Sequence, residues 1–313
     1  MFCFASALLN CGSEFEILLD DDSSIYWTES DGDITVIRSN GTGMRTIVSL
    51  APRVPLDVAL DLHGKKLYWT EFTGSRYQIR RIGLNGDGEE LYIDVPGSLN
   101  HGPTAIAIDP AGRKIYWNRY RSAPDRLEIN RANLTIPATG QQGWWSIDDP
   151  ARPYAYGISI DAINRKFYYT AGSYWNLYPL AFGSGSTGRV YAGELDAINS
   201  VVWPITDNGF TDPSIPFSGI AVDGSGGHIY YVNNTTAALS IRRADLNVNN
   251  RTDWVAASGF EMQKLALDLK ERKIYWTSSG DNSIYRADLD RPNSGIERFL
   301  RLSNTPTGIT VGP

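Results

Sequence analysis

The chain has 313 residues, 42% of them hydrophobic and 20% charged, which supplies a packed core and argues against disorder. Its formal net charge of −6 and pI near 5.2 speak against the clustered basic face that a nucleic-acid partner needs. The two cysteines, Cys3 and Cys11, both lie near the start, so the body of the chain has no disulfide framework, cysteine zinc site or cysteine nucleophile.

Residues 1–14 form an apolar N-terminal segment. It lacks a basic leader and is far too short to span a bilayer, so it is either the remnant of a secretion signal or simply an apolar terminus. No membrane span is expected. From residue 15 to 313 a repeat organises the sequence.

The first unit shows YWTE from Tyr26. After it, an apolar run ending in Asp recurs at Asp61, Asp109, Asp161, Asp223 and Asp268, each followed seven residues later by Tyr68, Tyr116, Tyr168, Tyr230 and Tyr275. These tyrosines open YWTE, YWNR, YYTA, YYVN and YWTS. A third signature, I-x-R-x-x-L, follows as Ile79-Arg81-Leu84, Ile129-Arg131-Leu134, Ile241-Arg243-Leu246 and Ile284-Arg286-Leu289. Each unit reads as four short strands: a small apolar innermost strand, one carrying the bulky Tyr-Trp pair, an alternating third and a weak outer fourth. Six such units predict an all-β, six-bladed β-propeller with four-stranded antiparallel blades. At the end of the chain, Pro306–Val311 repeats the innermost pattern of Pro103–Ile108 and is expected to complete the blade begun near Ile25, closing the ring. The segment Phe15–Leu19 competes for that place.

Six tandem motifs with this spacing resemble the YWTD propellers of the low-density lipoprotein receptor class over nearly the whole chain. In that family the fourth motif residue is an Asp that ties neighbouring blades; here it is Glu29, Glu71, Arg119, Ala171, Asn233 and Ser278. The cysteine-rich modules that flank the receptor propellers are missing. An isolated six-bladed domain with sequons also resembles fungal propellers of natural-product pathways, among them hetero-Diels–Alderases of tropolonic sesquiterpenoid biosynthesis. That resemblance implies a cofactor-independent cyclase binding a small hydrophobic substrate.

The histidines argue against a three-His metal site. His63 and His228 fall between first and second strands, whereas His101 precedes a first strand, which places them on opposite faces. The recurring aspartates read as turn formers rather than catalytic carboxylates. No nucleophile elbow, phosphate loop or Ser-His-Asp spacing is visible, and no cofactor or metal is called for.

The face opened by the loops before first strands and after second strands is rich in aromatics and cations. His101, Arg121 and Tyr174 are the candidate catalytic residues, and Arg53, Arg119, Tyr154, Trp175, Phe217 and Lys264 the candidate substrate-binding residues. The long insertions of blade four open on this face. Sequons at Asn40, Asn133, Asn233, Asn234 and Asn250 favour a secreted or secretory-pathway protein, with Asn40, Asn133, Asn234 and Asn250 as the expected acceptors. Two other functions remain open on the sequence: a secreted protein-binding module of the receptor type, and a metal-dependent lactonase or hydrolase.

Overall fold

Short alternating runs punctuated by Gly- and Asp-bearing turns produce 24 strands in the computed structural model, which describes residues 22–95, 102–122, 125–135, 142–147, 154–172, 188–197, 203–204, 217–234, 239–247, 249–256 and 261–312. Among the described residues there is no helix. Blade I contains β1 (Ser24–Glu29), β2 (Asp33–Arg38) and β3 (Arg45–Ser49). Blade II contains β4 (Val54–Asp61), β5 (Lys66–Phe72), β6 (Tyr77–Gly83) and β7 (Glu90–Val95). Blade III has β8 (Ile106–Asp109), β9 (Lys114–Ser122), β10 (Asp125–Asn133) and β11 (Gln142–Ile147). Blade IV has β12 (Tyr154–Asp161), β13 (Lys166–Gly172), β14 (Gly188–Glu194) and β15 (Trp203–Pro204). Blade V follows with β16 (Phe217–Asp223), β17 (His228–Asn234), β18 (Leu239–Asp245) and β19 (Thr252–Ala256). Blade VI has β20 (Met262–Asp268), β21 (Lys273–Ser278), β22 (Ser283–Asp288) and β23 (Glu297–Arg301).

The last strand, β24 (Pro306–Gly312), returns to pair antiparallel with β1, setting Ile309 against Trp27 and Val311 against Ile25. The sheet order β24-β1-β2-β3 makes it the innermost strand of blade I, as its repeat pattern predicts. The competing segment Phe15–Leu19 lies outside the described residues.

Both faces of each second strand are used. Tyr26 packs with Val58, Leu67 and Trp69 of blade II, while Trp27 packs with Ala266 and Tyr275 of blade VI. The six motif tyrosines are all buried. An aromatic side chain of this kind covers about 150–250 Å², and apolar burial at about 25 cal/mol per Å² makes these rings the main adhesive between blades. The third-strand arginine has an aromatic platform: Arg243 lies 3.7 Å from the Trp254 ring, Arg286 4.6 Å from Phe299 and Arg81 5.1 Å from Tyr92.

The repeated aspartates do form turns. Asp109 Oδ1 accepts the amides of Ala111 and Gly112, and Asp161 and Asp268 accept the equivalent amides of their own turns. They have a second role that the sequence reading did not assign. Arg113 Nη2 reaches Asp61 Oδ2 at 2.8 Å, Arg165 Nη1 reaches Asp109 at 2.9 Å and Arg272 Nη1 reaches Asp223 at 3.2 Å. Each arginine belongs to the blade after its aspartate and sits four residues past its own blade's Asp, in a left-handed conformation (φ +50°, +55° and +54°). The backbone conformation aims the side chain back across the junction.

Candidate functional site

The first strand of each blade starts at one face of the ring and ends at the other, so the ends of second strands and the starts of first strands share the loop face. On that face hydroxyl side chains hydrogen-bond across the blade junctions. Thr28 and Thr307 share a hydrogen bond of 2.8 Å, and Thr307 donates to the Pro55 carbonyl of blade II at 2.8 Å. Thr104 donates to Ala155 O, Thr170 to Ser218 O and Ser218 to Met262 O, so each hydroxyl reaches the next blade. Asn118, third in its motif, donates to Thr104 Oγ1 and to Ala155 O. Of the third-position residues, Asn118 and Thr170 reach the next blade, while Thr104, Ser218 and Thr307 do so from the first-strand segments.

At the same level the repeat has Ala105, Gly157, Gly219 and Gly308 in four blades, but Asp57 in blade II and Lys264 in blade VI. The small residues are required: a Cβ on Gly219 would lie 2.7 Å from the Gln263 carbonyl, and one on Gly308 would lie 2.7 Å from the Asp57 Cα. Into the space so left, Lys264 extends its ammonium. Nζ donates to Asp57 Oδ2 at 2.9 Å, to the Thr104 carbonyl at 3.0 Å and to the Tyr156 carbonyl at 2.8 Å, using all three N–H groups. Asp57 accepts in turn from the amides of Val58 and Ile106. Burial pushes the Asp57 carboxyl above its ordinary range, against the pull of Lys264 and the two amides.

This pair spans the axis at the loop-face end of a central channel of about 240 Å³, lined by the innermost strands of all six blades. Each of those strands pairs on one side only, so its other edge turns backbone N–H and C=O groups toward the axis. Toward the opposite face the lining includes Leu60, Ile108, Ile160, Val222, Leu267 and Val311, one residue from each blade.

The expected binding residues divide by environment. Arg53 lies on the loop face but is held: Nη1 reaches Glu71 Oε1 at 3.1 Å and Glu89 Oε1 at 2.7 Å. Burial alone would raise the Glu89 carboxyl, yet Arg53 and Arg80 hold it below its usual range. Lys264 is held in the same way by Asp57, so neither cation is a spare donor. Arg119 sits half-buried near the end of β9, opposite Glu128. Arg121, Tyr154, Phe217 and Asn234 are placed as strand-end positions, with Arg121 opposite Arg126, Tyr154 opposite Gly172, Phe217 opposite Asn233 and Asn234 opposite Leu239. Tyr154 and Phe217 begin their first strands at the loop face, whereas His63 and His228 lie at the other. His101, Tyr174 and Trp175, and most of the blade IV insertions, lie outside the described residues.

Among the sequons, Asn40 is exposed in the turn after β2, where its Oδ1 accepts from the Thr42 amide and hydroxyl. Asn250 is exposed after β18, with Nδ2 on Asp245. Asn133 is partly buried and bound by Lys114 Nζ, and Asn233 is 1% exposed.

No protein-family model matches the chain, and no curated protein matches its sequence. Solved structures do. A chain in a crystal structure of the nidogen/laminin complex matches with TM-score 0.69 and 18% identity, over 93% of this chain and 98% of that one. TolB from Acinetobacter baumannii matches with TM-score 0.68 and 13% identity, over 93% of this chain and 67% of the other. A gluconolactonase from Xanthomonas campestris matches with TM-score 0.56 and 13% identity, over 81% and 78%. At these identities the likeness is one of fold.

Proposed function

We propose that the protein acts on a small hydrophobic molecule at the loop-face end of its axis, as a cofactor-independent pericyclase of the hetero-Diels–Alderase kind in natural-product biosynthesis. The observation that supports this reading is the polar floor. The Lys264–Asp57 pair spans the axis, so a molecule entering from the loop face meets a fixed polar base ringed by strand ends carrying Arg119, Arg121, Tyr154 and Phe217. With Arg53 and Lys264 committed to carboxylates, the donor roles fall to Arg121, His101 and Tyr174, while Arg119, Tyr154, Trp175 and Phe217 contact the apolar partner.

A cycloaddition needs neither nucleophile nor cofactor. Holding both reactants in a reactive pose removes roughly 7–11 kcal/mol of barrier. A donor on the developing oxyanion of a quinone-methide-like partner adds roughly 3–4 kcal/mol. The test supplies a quinone-methide precursor and a cyclic polyene and reads product by chiral chromatography. The proposal expects accelerated formation of one stereoisomer, with Arg121→Ala and His101→Ala slowing it by about 10²-fold while melting like the parent. Racemic product at the uncatalysed rate overturns it.

A second reading, a secreted protein-binding module on the same face, is favoured by the match to a chain of the nidogen/laminin complex over 98% of its length. For the lactonase reading, no three His, Cys, Asp or Glu side chains converge on a metal-sized site among the described residues. Passage through the secretory pathway, with N-linked glycans, goes with either of the first two readings.

A further inference from the structure

The face opposite the loop face, the base of the ring, is apolar around the axis. The collar that runs from Leu60 through Ile108, Ile160, Val222 and Leu267 to Val311 is half-exposed at all six positions. The turns after the first strands extend it with Leu62 (46% exposed), Ile163 (67%) and Leu269 (44%). A Cβ on Gly312 would meet Leu60 and Leu62 together, and Leu269 itself lines the channel, so two of the three continue the collar directly. Leu62, Ile163 and Leu269 stand on blades II, IV and VI, alternate members of the ring. Large apolar side chains grouped on one face mark a contact surface.

A second copy of this chain matches that spacing. Two rings laid base to base run their blades in opposite order. A twofold axis through blade I therefore sets blade II of one copy over blade VI of the other, blade III over blade V, and blade IV over itself. In that register Leu62 of each copy meets Leu269 of the other, and the two Ile163 side chains meet at the axis. Twofold axes through blade II or blade VI would also pair alternate blades. Charge selects among the three. Lys65, in the blade II turn, and Glu271, in the blade VI turn, are exposed and form no ion pair among the described residues. The axis through blade I sets them against each other twice. An axis through blade II would set Lys65 against itself, and one through blade VI would do the same to Glu271. Of the other groups in these turns, Arg113, Arg165 and Arg272 are held by aspartates, Lys270 faces His63, and Gly224 to Gly227 of blade V carry no charge.

We propose that two copies of this chain associate base to base through this collar, about a twofold axis that runs through blades I and IV. The turns that make the contact are fixed by their own aspartates, so the surface is formed before the copies meet. A contact of this kind uses the same patch on both partners, so association stops at two. Asn40 and Asn250 lie in turns between third and fourth strands, outside the collar. Both loop faces stay open, and the inference does not depend on what binds there.

The test is sedimentation equilibrium on the full chain, produced without glycans. The parent should show a monomer–dimer equilibrium, and Ile163→Glu, which brings two carboxylates together at the axis, should leave monomer. Lys65→Glu and Glu271→Lys should each raise the dimer dissociation constant by about tenfold or more, because like charges then face each other twice. Mixing these two single variants in equal amounts should recover the dimer, since each supplies the charge that the other now lacks. Both substitutions in one chain should recover it as well. The replaced side chains are all exposed, so circular dichroism should be unchanged. A parent that sediments as monomer at every concentration overturns the proposal, as does a dimer that survives Ile163→Glu. Single charge reversals that mixing does not rescue overturn it too.

Discussion

Replacing Lys264 by Met should destabilise the protein far more than removing a surface charge would. The side chains of Lys264 and Asp57 are only 11% and 10% exposed, so the variant leaves an uncompensated carboxylate inside the ring. It also strips a donor from the carbonyls of Thr104 and Tyr156. Breaking a buried pair from one side costs about 3–5 kcal/mol. We expect the total to stay within that range. Adding Asp57→Asn removes the stranded charge, and the double variant should recover roughly 1–3 kcal/mol relative to Lys264→Met alone. The assay is urea unfolding followed by tryptophan fluorescence and by circular dichroism, with coincident transitions required before free energies are compared. Two outcomes refute the reasoning: Lys264→Met within about 0.5 kcal/mol of the parent, or a double variant that costs the sum of its parts.

Acid should unfold the protein through its depressed carboxylates. Lys273 and Ser294 hold Asp288 down to about 2, and against the upward push of burial Arg113 and the Gly64 amide together hold Asp61 below its usual range. Such groups stabilise the fold above the unfolded carboxylate pKa of about 4, and that contribution is lost as pH falls through the folded values. Melting temperatures should therefore drop between about pH 4 and pH 2, and a flat profile there contradicts the assignment. Deleting Thr305–Pro313 removes β24 and exposes the inner edge of β1, so the truncated chain should be insoluble or melt without cooperativity; a soluble, cooperatively folding product argues against closure by β24. In a eukaryotic secretory host, Asn40 and Asn250 should carry glycans while Asn233 does not, a distinction that peptide mapping before and after glycosidase treatment will read.

The blades were legible because their information is local. An Asp, a turn and a Tyr seven residues on specify one hairpin, and five repetitions leave little freedom in placing it. Closure by β24 was legible for the same reason, since Pro306–Val311 reads like Pro103–Ile108. The charged floor of the site was not, because Lys264 and Asp57 lie 207 residues apart and each looks like an ordinary surface residue in its own repeat. The signal appears only when the first strands are aligned and two opposite charges stand where four blades have Gly or Ala. The arginine links have the same character: Arg113, Arg165 and Arg272 follow their aspartates at a fixed distance, but each answers the aspartate of the preceding blade. As candidate substrate-binding residues Arg53 and Lys264 are singled out by charge alone, and the carboxylates that hold them are not visible in their own repeats. Periodicity shows what each blade does for itself, and pairings across blades need the ring.

The bond between Thr28 and Thr307 spans 279 residues and the Lys264–Asp57 contact spans 207. Neither can form until the chain has come full circle. Contacts across such separations bear the largest loop-closure entropy, so they form after local hairpins and neighbouring blades have docked. An interaction missing from the folding transition state leaves the folding rate almost untouched and lowers the rate of escape from the native state. The axial ion pair is thus a lock on unfolding more than a guide to assembly, and its contribution is felt as lifetime: how long a closed ring survives before one blade lets go.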